Sequence, residues 1–192
     1  MVQSTEGKVV YFGKKGAANT ERTLEIALTC CEERKIGKIV VASSTGETAL
    51  KLQGKAKPSI DIIAVTYGAG SRYTEEVEAF NKNRSALEEK GIRVVRGLHA
   101  LSGVERTFEN RYKSGFIPLN VVADTLRMFS QGMKVCVEIA VMAAEHGWVT
   151  PNEEVVVIAG SGHGADTAVV LRPAFAANMF ETKIRAVLCM PA

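Results

Sequence analysis

The chain is poor in the features that mark the commoner functional classes. It has one tryptophan and 6 % aromatic residues, so no run of rings is available to stack on bases. Lys and Arg are scattered and the formal charge is only +3, which gives no basic arm or stripe for nucleic acid. The three histidines, His99, His146 and His163, lie far apart, and no C-x-x-C pattern occurs among Cys30, Cys31, Cys136 and Cys189. A metal site is therefore not expected. Adjacent Cys30 and Cys31 in a helical pattern bridge poorly, and all four cysteines sit among apolar residues, the usage of buried thiols in a reducing cytoplasm. The longest apolar stretch, Val135–Ala144, is interrupted by Glu138 and is too short to span a bilayer. Residues 1–7 are polar and lack the apolar core of a signal peptide. The expectation is a cytoplasmic protein with neither nucleic acid nor membrane as partner.

What is present is ordinary globular material. At 192 residues and 46 % hydrophobic content, the chain is expected to form one domain over 1–192. Its hydrophobic pattern alternates between strand and helix. Lys8–Phe12 reads as a strand, followed by a helix capped by Asn19 or Thr20 and ended by Gly37. Strands follow at Ile39–Ala42, Ile60–Val65 and Ile92–Val95, separated by helices at Glu47–Gln53 and Thr74–Lys90. That order implies parallel strands with helices on both faces.

Val104–Tyr112 is a helix candidate and Ser114–Pro118 a loop. Asn120 is expected to cap one long helix, Val121–His146, with Val122, Leu126, Phe129, Met133, Val137, Val141 and Ala144 on its inner face. Gly132 inside it marks a close crossing or a kink. Met128, Met133 and Met142 read as core filler. Within this helix, Arg127 either pairs with Asp124 or reaches an anion. Glu153–Gly160, Thr167–Leu171 and Lys183–Leu188 complete the strands.

Three loops stand at the C-terminal ends of predicted strands: Ser43–Thr48, Thr66–Ser71 and Gly160–Asp166. Ligands of open parallel sheets bind beyond those ends, so the three are expected to form one site. In the first, Ser43, Ser44, Thr45 and Thr48 offer hydroxyls, Gly46 permits close backbone approach, and Glu47 opens a helix whose free N–H groups favour an anion. Helix capping by Ser44 or Thr45 is the alternative use of those hydroxyls. Gly160, Ser161, Gly162, His163 and Gly164 superficially match a dinucleotide fingerprint. A β-branched strand follows them where that fingerprint needs a helix, so a dinucleotide site is rejected. A nucleophile elbow at Gly160-Ser161-Gly162 fails as well, because it needs one residue on each side of the serine and a helix afterwards.

These residues also carry a family resemblance. Ile39–Ala49 resembles the strand, phosphate loop and helix of the pyruvate kinase C-terminal domain, with Ser43, Thr45, Gly46 and Thr48 at the loop's small and hydroxyl positions. Ile62–Thr66 is similar to the next strand of that domain. Val155–Gly160 and Gly164–Thr167 resemble its penultimate strand, its glycine-rich loop and the start of its last strand. The similarity covers residues 17–68 and 150–172, about two-fifths of the chain. It implies a three-layer α/β/α sandwich with a central, mostly parallel sheet, and a phosphate held by the first loop. The family's short stand-alone members look like a branch associated with flavin mononucleotide, which makes FMN the implied cofactor. The catalytic barrel of ~250 residues is missing, so pyruvate kinase activity is not expected. Glu47 stands where sugar-bisphosphate-regulated kinases carry a basic residue, which argues against that effector.

Two functions are carried forward. The first is binding of a phosphorylated small molecule, FMN foremost, with phosphate at Ser43–Thr48 and walls from Asn19, Thr66, Tyr67 and the Gly160–Gly164 loop. The second is an orphan regulatory module that binds a sugar phosphate and acts through homo-oligomerisation, with the Val121–His146 helix as partner face. A phosphoester-processing enzyme using His163 or Asp166 as acid or base ranks last, since no nucleophile is identified.

Overall fold

Apolar runs without alternation form the centre of a parallel sheet, where helices cover both faces. β2 (Lys38–Ala42), β3 (Asp61–Thr66) and β5 (Val155–Ala159) are such runs, and they lie side by side. The computed structural model describes residues 6–113 and 115–192. The polar start at 1–5, where no signal peptide is expected, and Ser114 of the expected loop lie outside them.

β1 (Val10–Phe12), β4 (Arg93–Arg96), β6 (Thr167–Arg172) and β7 (Lys183–Pro191) complete a seven-stranded sheet of order β1-β7-β6-β5-β2-β3-β4. Only β6 runs against the rest: it is antiparallel to β5 and β7, while β5, β2, β3 and β4 are mutually parallel and β1 is parallel to β7.

Side chains of a strand alternate between faces, and the two layers divide accordingly. Ile39, Val41, Ile62 and Ala64 face α1 (Thr20–Arg34), α2 (Glu47–Gln53) and α3 (Thr74–Glu89), which bury Leu24, Leu52, Phe80 and Leu87 there. Val40, Ile63, Val65 and Val157 face α6 (Gln131–Glu145), which buries Met133, Cys136, Ile139 and Ala143. Each such large side chain contributes about 1.5–3 kcal/mol by leaving water. This is the expected α/β/α sandwich. All four cysteines are free and buried, and burial raises the Cys31 thiol to about 12 and the Cys189 thiol to about 11. No helix among the described residues is long and apolar enough to cross a membrane.

Four sequence expectations need correction. The helix α1 ends at Arg34 with Lys35 in the left-handed conformation (φ 56°), two residues before Gly37. The single helix Val121–His146 is two helices, α5 (Pro118–Arg127) and α6. Pro118 rather than Asn120 opens α5, because a proline in the first turn forfeits no helical hydrogen bond. Ser130 interrupts: its backbone is extended and its hydroxyl accepts from Met133 N at 2.9 Å, a local cap that starts a new helix. The break turns Met128 and Phe129 outward, 84 % and 56 % exposed, so neither is core. Gly132 then permits the close crossing, since a β-carbon there would collide with Thr167. α4 (Glu105–Tyr112) forms as expected but buries none of its residues.

Candidate ligand-binding crevice

The sheet order brings the three loops together. β5, β2 and β3 are neighbours with parallel registers, so Ser43, Thr66 and Gly160 emerge at one edge. β2 is also the switch point: its following helix α2 covers one face, while α6, which leads into β5, covers the other. A crevice of about 300 Å³ opens there. Ser43 and Ser44 line it from the loop after β2 and Thr48 from the start of α2, Thr66 and Tyr67 from the end of β3, and Gly160, Gly162 and Gly164 from the β5–β6 hairpin.

The remaining sequence candidates are not in that lining, each for a visible reason. The Asn19 amide turns back to donate to Lys14 O (2.7 Å) and Gly16 O (3.3 Å). The Thr45 carbonyl accepts from Asn83 Nδ2 at 2.8 Å. Gly46 sits at φ +91°, and a β-carbon there would lie 3.1 Å from Asn83 Cβ, so the packing of α3 demands this glycine. Glu47 is exposed. The Ser161 amide donates to Asp166 Oδ2 at 3.1 Å, and His163 is exposed on the hairpin. Asp166 is fully buried and also accepts from Gly16 N (2.8 Å) and Thr167 Oγ1 (2.9 Å). Neither His163 nor Asp166 lines the crevice, so nothing there favours the acid–base reading of either.

The loop's hydrogen bonding leaves donors available. Ser43 Oγ accepts from Ala49 N (3.3 Å) and Thr45 Oγ1 from Glu47 N (3.4 Å). Thr66 Oγ1 donates to Ser44 O at 3.3 Å and ties β3 to the loop.

The charged part of the crevice comes from elements that sequence reasoning did not place there. Lys134 and Glu138, one turn apart on α6, are 3 % and 1 % exposed. Lys134 Nζ donates to Glu138 Oε2 at 2.6 Å. The same carboxylate accepts from Leu101 N (3.0 Å), Ser102 Oγ (3.1 Å) and His99 Nδ1 (3.3 Å). Burial alone would raise Glu138, but the His99 hydrogen bond and the Lys134 charge outweigh it and hold the carboxyl down to about 2. Burial lowers Lys134, more than Glu138 offsets. An ionised carboxylate only accepts, which places the His99 proton on Nδ1. His99 stacks on Tyr67 (centroids 5.6 Å, 16°), and Tyr67 stacks on Tyr73 (4.9 Å, 22°). Arg72, Arg106 and Arg127 complete the rim. Arg127 pairs with Asp124 at 2.7 Å, the first of its two expected uses, and with Gln131 at 2.8 Å, and it also lines the crevice. The signal that was available is Glu138 itself, a carboxylate inside an apolar helical stretch with a lysine four residues earlier.

The fold and crevice define a class: an open α/β domain with a hydroxyl- and cation-lined cleft at the switch point of its sheet. Within that class, the family model described as "Pyruvate kinase, alpha/beta domain" matches residues 21–171, and the chain belongs to that family. Among solved structures, a pyruvate kinase from Cryptosporidium parvum is similar at 17 % identity with a TM-score of 0.42. A second structure of that organism's pyruvate kinase gives 16 % and 0.40, and in both cases the match covers 83 % of this chain and 23 % of the other. A third, determined in complex with ADP, gives 16 % and 0.38 over 91 % of this chain and 24 % of the other. The chain thus spans about a quarter of the length of the pyruvate kinases it matches.

Proposed function

We propose that this chain binds a phosphorylated small molecule in the crevice beyond β2, with FMN the first candidate and its phosphate against Ser43, Ser44 and Thr48. The observation that carries the reading is Lys134. Its ammonium is buried, lines the crevice and has Glu138 as its one acceptor among the described residues, which leaves two N–H donors for an anion. Charge-assisted hydrogen bonds contribute about 1.5–3 kcal/mol each, and micromolar affinity needs about 8 kcal/mol. A few such contacts supply part of that, and a flat ring lying along Tyr67 supplies apolar burial for the rest. No group in the crevice identifies a reaction, and pyruvate kinase activity is not part of the proposal. The buried free thiols accord with a reducing cytoplasm.

The test is titration of the purified chain with FMN, read by the visible flavin band and by thermal shift. Thr48→Val and Ser44→Ala should each weaken binding about tenfold with little change in melting temperature, the cost of one hydrogen bond to a charged group. Gly46→Val is a poor probe, because the substitution clashes with α3. Protein that stays colourless and is not stabilised by FMN refutes the flavin reading.

A second reading, a regulatory module binding a sugar phosphate and acting through oligomerisation, has one observation in its favour. Glu47 lies outside the crevice lining, so it does not oppose a second phosphate, while Arg72, Arg106 and Arg127 lie within reach of one. Stabilisation by sugar bisphosphates but not by FMN, with a concentration-dependent change in mass, selects this reading.

A further inference from the structure

Beyond the crevice lies a second cavity of about 740 Å³, reached past Tyr67, Arg72, Tyr73, His99, Ser102 and Arg106, which line both. Its charged lining is of one sign. Arg72, Arg96 and Arg106 contribute guanidinium groups, and no carboxylate side chain is among the described residues that line it. In a protein with 24 basic and 21 acidic residues, three cations around one concavity without a single acid is a local excess.

Those cations are also short of partners. Arg106, the first-turn arginine of α4, makes no side-chain hydrogen bond or ion pair among the described residues. Among the described residues Arg72 has one hydrogen-bond partner, the Tyr73 hydroxyl at 3.1 Å, and its guanidinium lies 5.1 Å from the centroid of that ring. Arg96 holds Tyr67 O (3.1 Å) and Asn81 Oδ1 (2.8 Å), yet its remaining Nη2 is buried with no acceptor. An unanswered guanidinium nitrogen in the wall raises the positive potential inside without itself being touched. Flat and apolar surface is part of the same wall, in the stacked Tyr67 and Tyr73 rings and in Leu98, 73 % exposed, alongside the polar Ser71, His99, Ser102 and Asn110. Guanidinium forks match the planar geometry of carboxylate and the faces of phosphate, and aromatic walls match an unsaturated ring.

We propose that this outer cavity binds a second small molecule, a planar organic anion carrying one carboxylate or phosphate, whose charge is met by Arg72 and Arg106 and whose flat body lies along the Tyr67–Tyr73 stack. It is called second because the inner crevice is assigned to a phosphorylated ligand above; Arg72 and Arg106 stand between the two, while Arg96, Leu98 and Asn110 line the outer cavity and not the inner one. The two ligands would meet at Tyr67 and His99, so the protein brings two small molecules together rather than storing one.

The experiment is calorimetric titration of the full chain with benzoate and with phenyl phosphate, first alone and then after addition of FMN. Binding of either probe to the chain alone, weakening as salt is raised, is expected. Leu98→Asp places a carboxylate in the outer wall and should weaken the probes about tenfold, whereas the uncharged Leu98→Asn should not. Leu98 lies outside the inner crevice, so FMN affinity should stay the same in both. Arg106→Ala, an exposed site, should weaken the probes about tenfold with the melting temperature unchanged. Absence of binding by both probes overturns the proposal, as does equal binding by wild type and Leu98→Asp. Competition between probe and FMN would make the outer cavity part of the first ligand's site and also overturn it. Binding of the probes without any binding of FMN would sustain this proposal while removing the flavin reading.

Discussion

Glu138 and Asp166 are both buried carboxylates at the same edge of the sheet, and their surroundings differ in kind. Asp166 accepts from two backbone amides and one hydroxyl, all neutral, and is not among the residues that line the crevice. It joins the β5–β6 hairpin to Gly16, 150 residues earlier in the chain. Glu138 accepts from an ammonium and an imidazole as well as from an amide and a hydroxyl, and it lines the crevice. The first is an anchor satisfied by its own neighbourhood. The second holds the segment after β4 on α6 and pairs with Lys134 beside open space. Burial alone does not distinguish a structural carboxylate from one at a binding site; the charge of its partners and the cavity beside it do.

That contrast can be broken most forcefully at Glu138. Glu138→Ala leaves Lys134 buried without its counter-charge and should cost about 3–5 kcal/mol in denaturant unfolding. The double variant Lys134→Met with Glu138→Gln removes both charges and should regain most of the loss. Asp166→Ala should cost less, about 1–3 kcal/mol, because its donors are neutral and Thr167 Oγ1 has Ser130 Oγ at 3.2 Å as a substitute partner. An Asp166→Ala loss as large as that of Glu138→Ala would show the distinction to be mistaken.

Acid sharpens the comparison further. Because Glu138 is held at about 2 in the folded chain against an ordinary 4.5, its stabilising contribution is complete above about 4.5 and disappears as pH falls toward 2. Thermal melts across that window should show a steeper acid limb in wild type than in the charge-free double variant. The smallest effect is expected from Ser44→Ala, which removes a crevice hydroxyl without opening a core contact: stability should change by less than about 0.5 kcal/mol in urea unfolding.

The shared edge of three loops was legible in the sequence because it follows from strand type alone. Parallel strands put all their C-terminal ends on one side, and Ile39–Ala42, Ile60–Val65 and Glu153–Gly160 read plainly as strands. Residues whose role depends on packing were not legible. Asn19 and Gly46 have the right chemistry for a ligand loop, but a turn carbonyl and the side of α3 claim them. Lys134 and His99 come from elements 35 residues apart that meet only when α6 lies across the sheet, and no local pattern encodes that meeting. The helix break at Ser130 escaped detection because apolar residues recur at helical spacing straight through it. A single serine hydroxyl competes with that pattern, and it wins where Gly132 must fit against Thr167.

β1 has one neighbour in the sheet, the last strand, with Val10 opposite Cys189 and Phe12 opposite Pro191. On a ribosome the first strand therefore emerges long before its partner exists. It must wait, unpaired, while the central strands and their covering helices assemble. A folding nucleus built on β2, β3 and β5 would then be closed late by this pairing, and truncation of the final strand should leave a core that forms but a chain start that never docks.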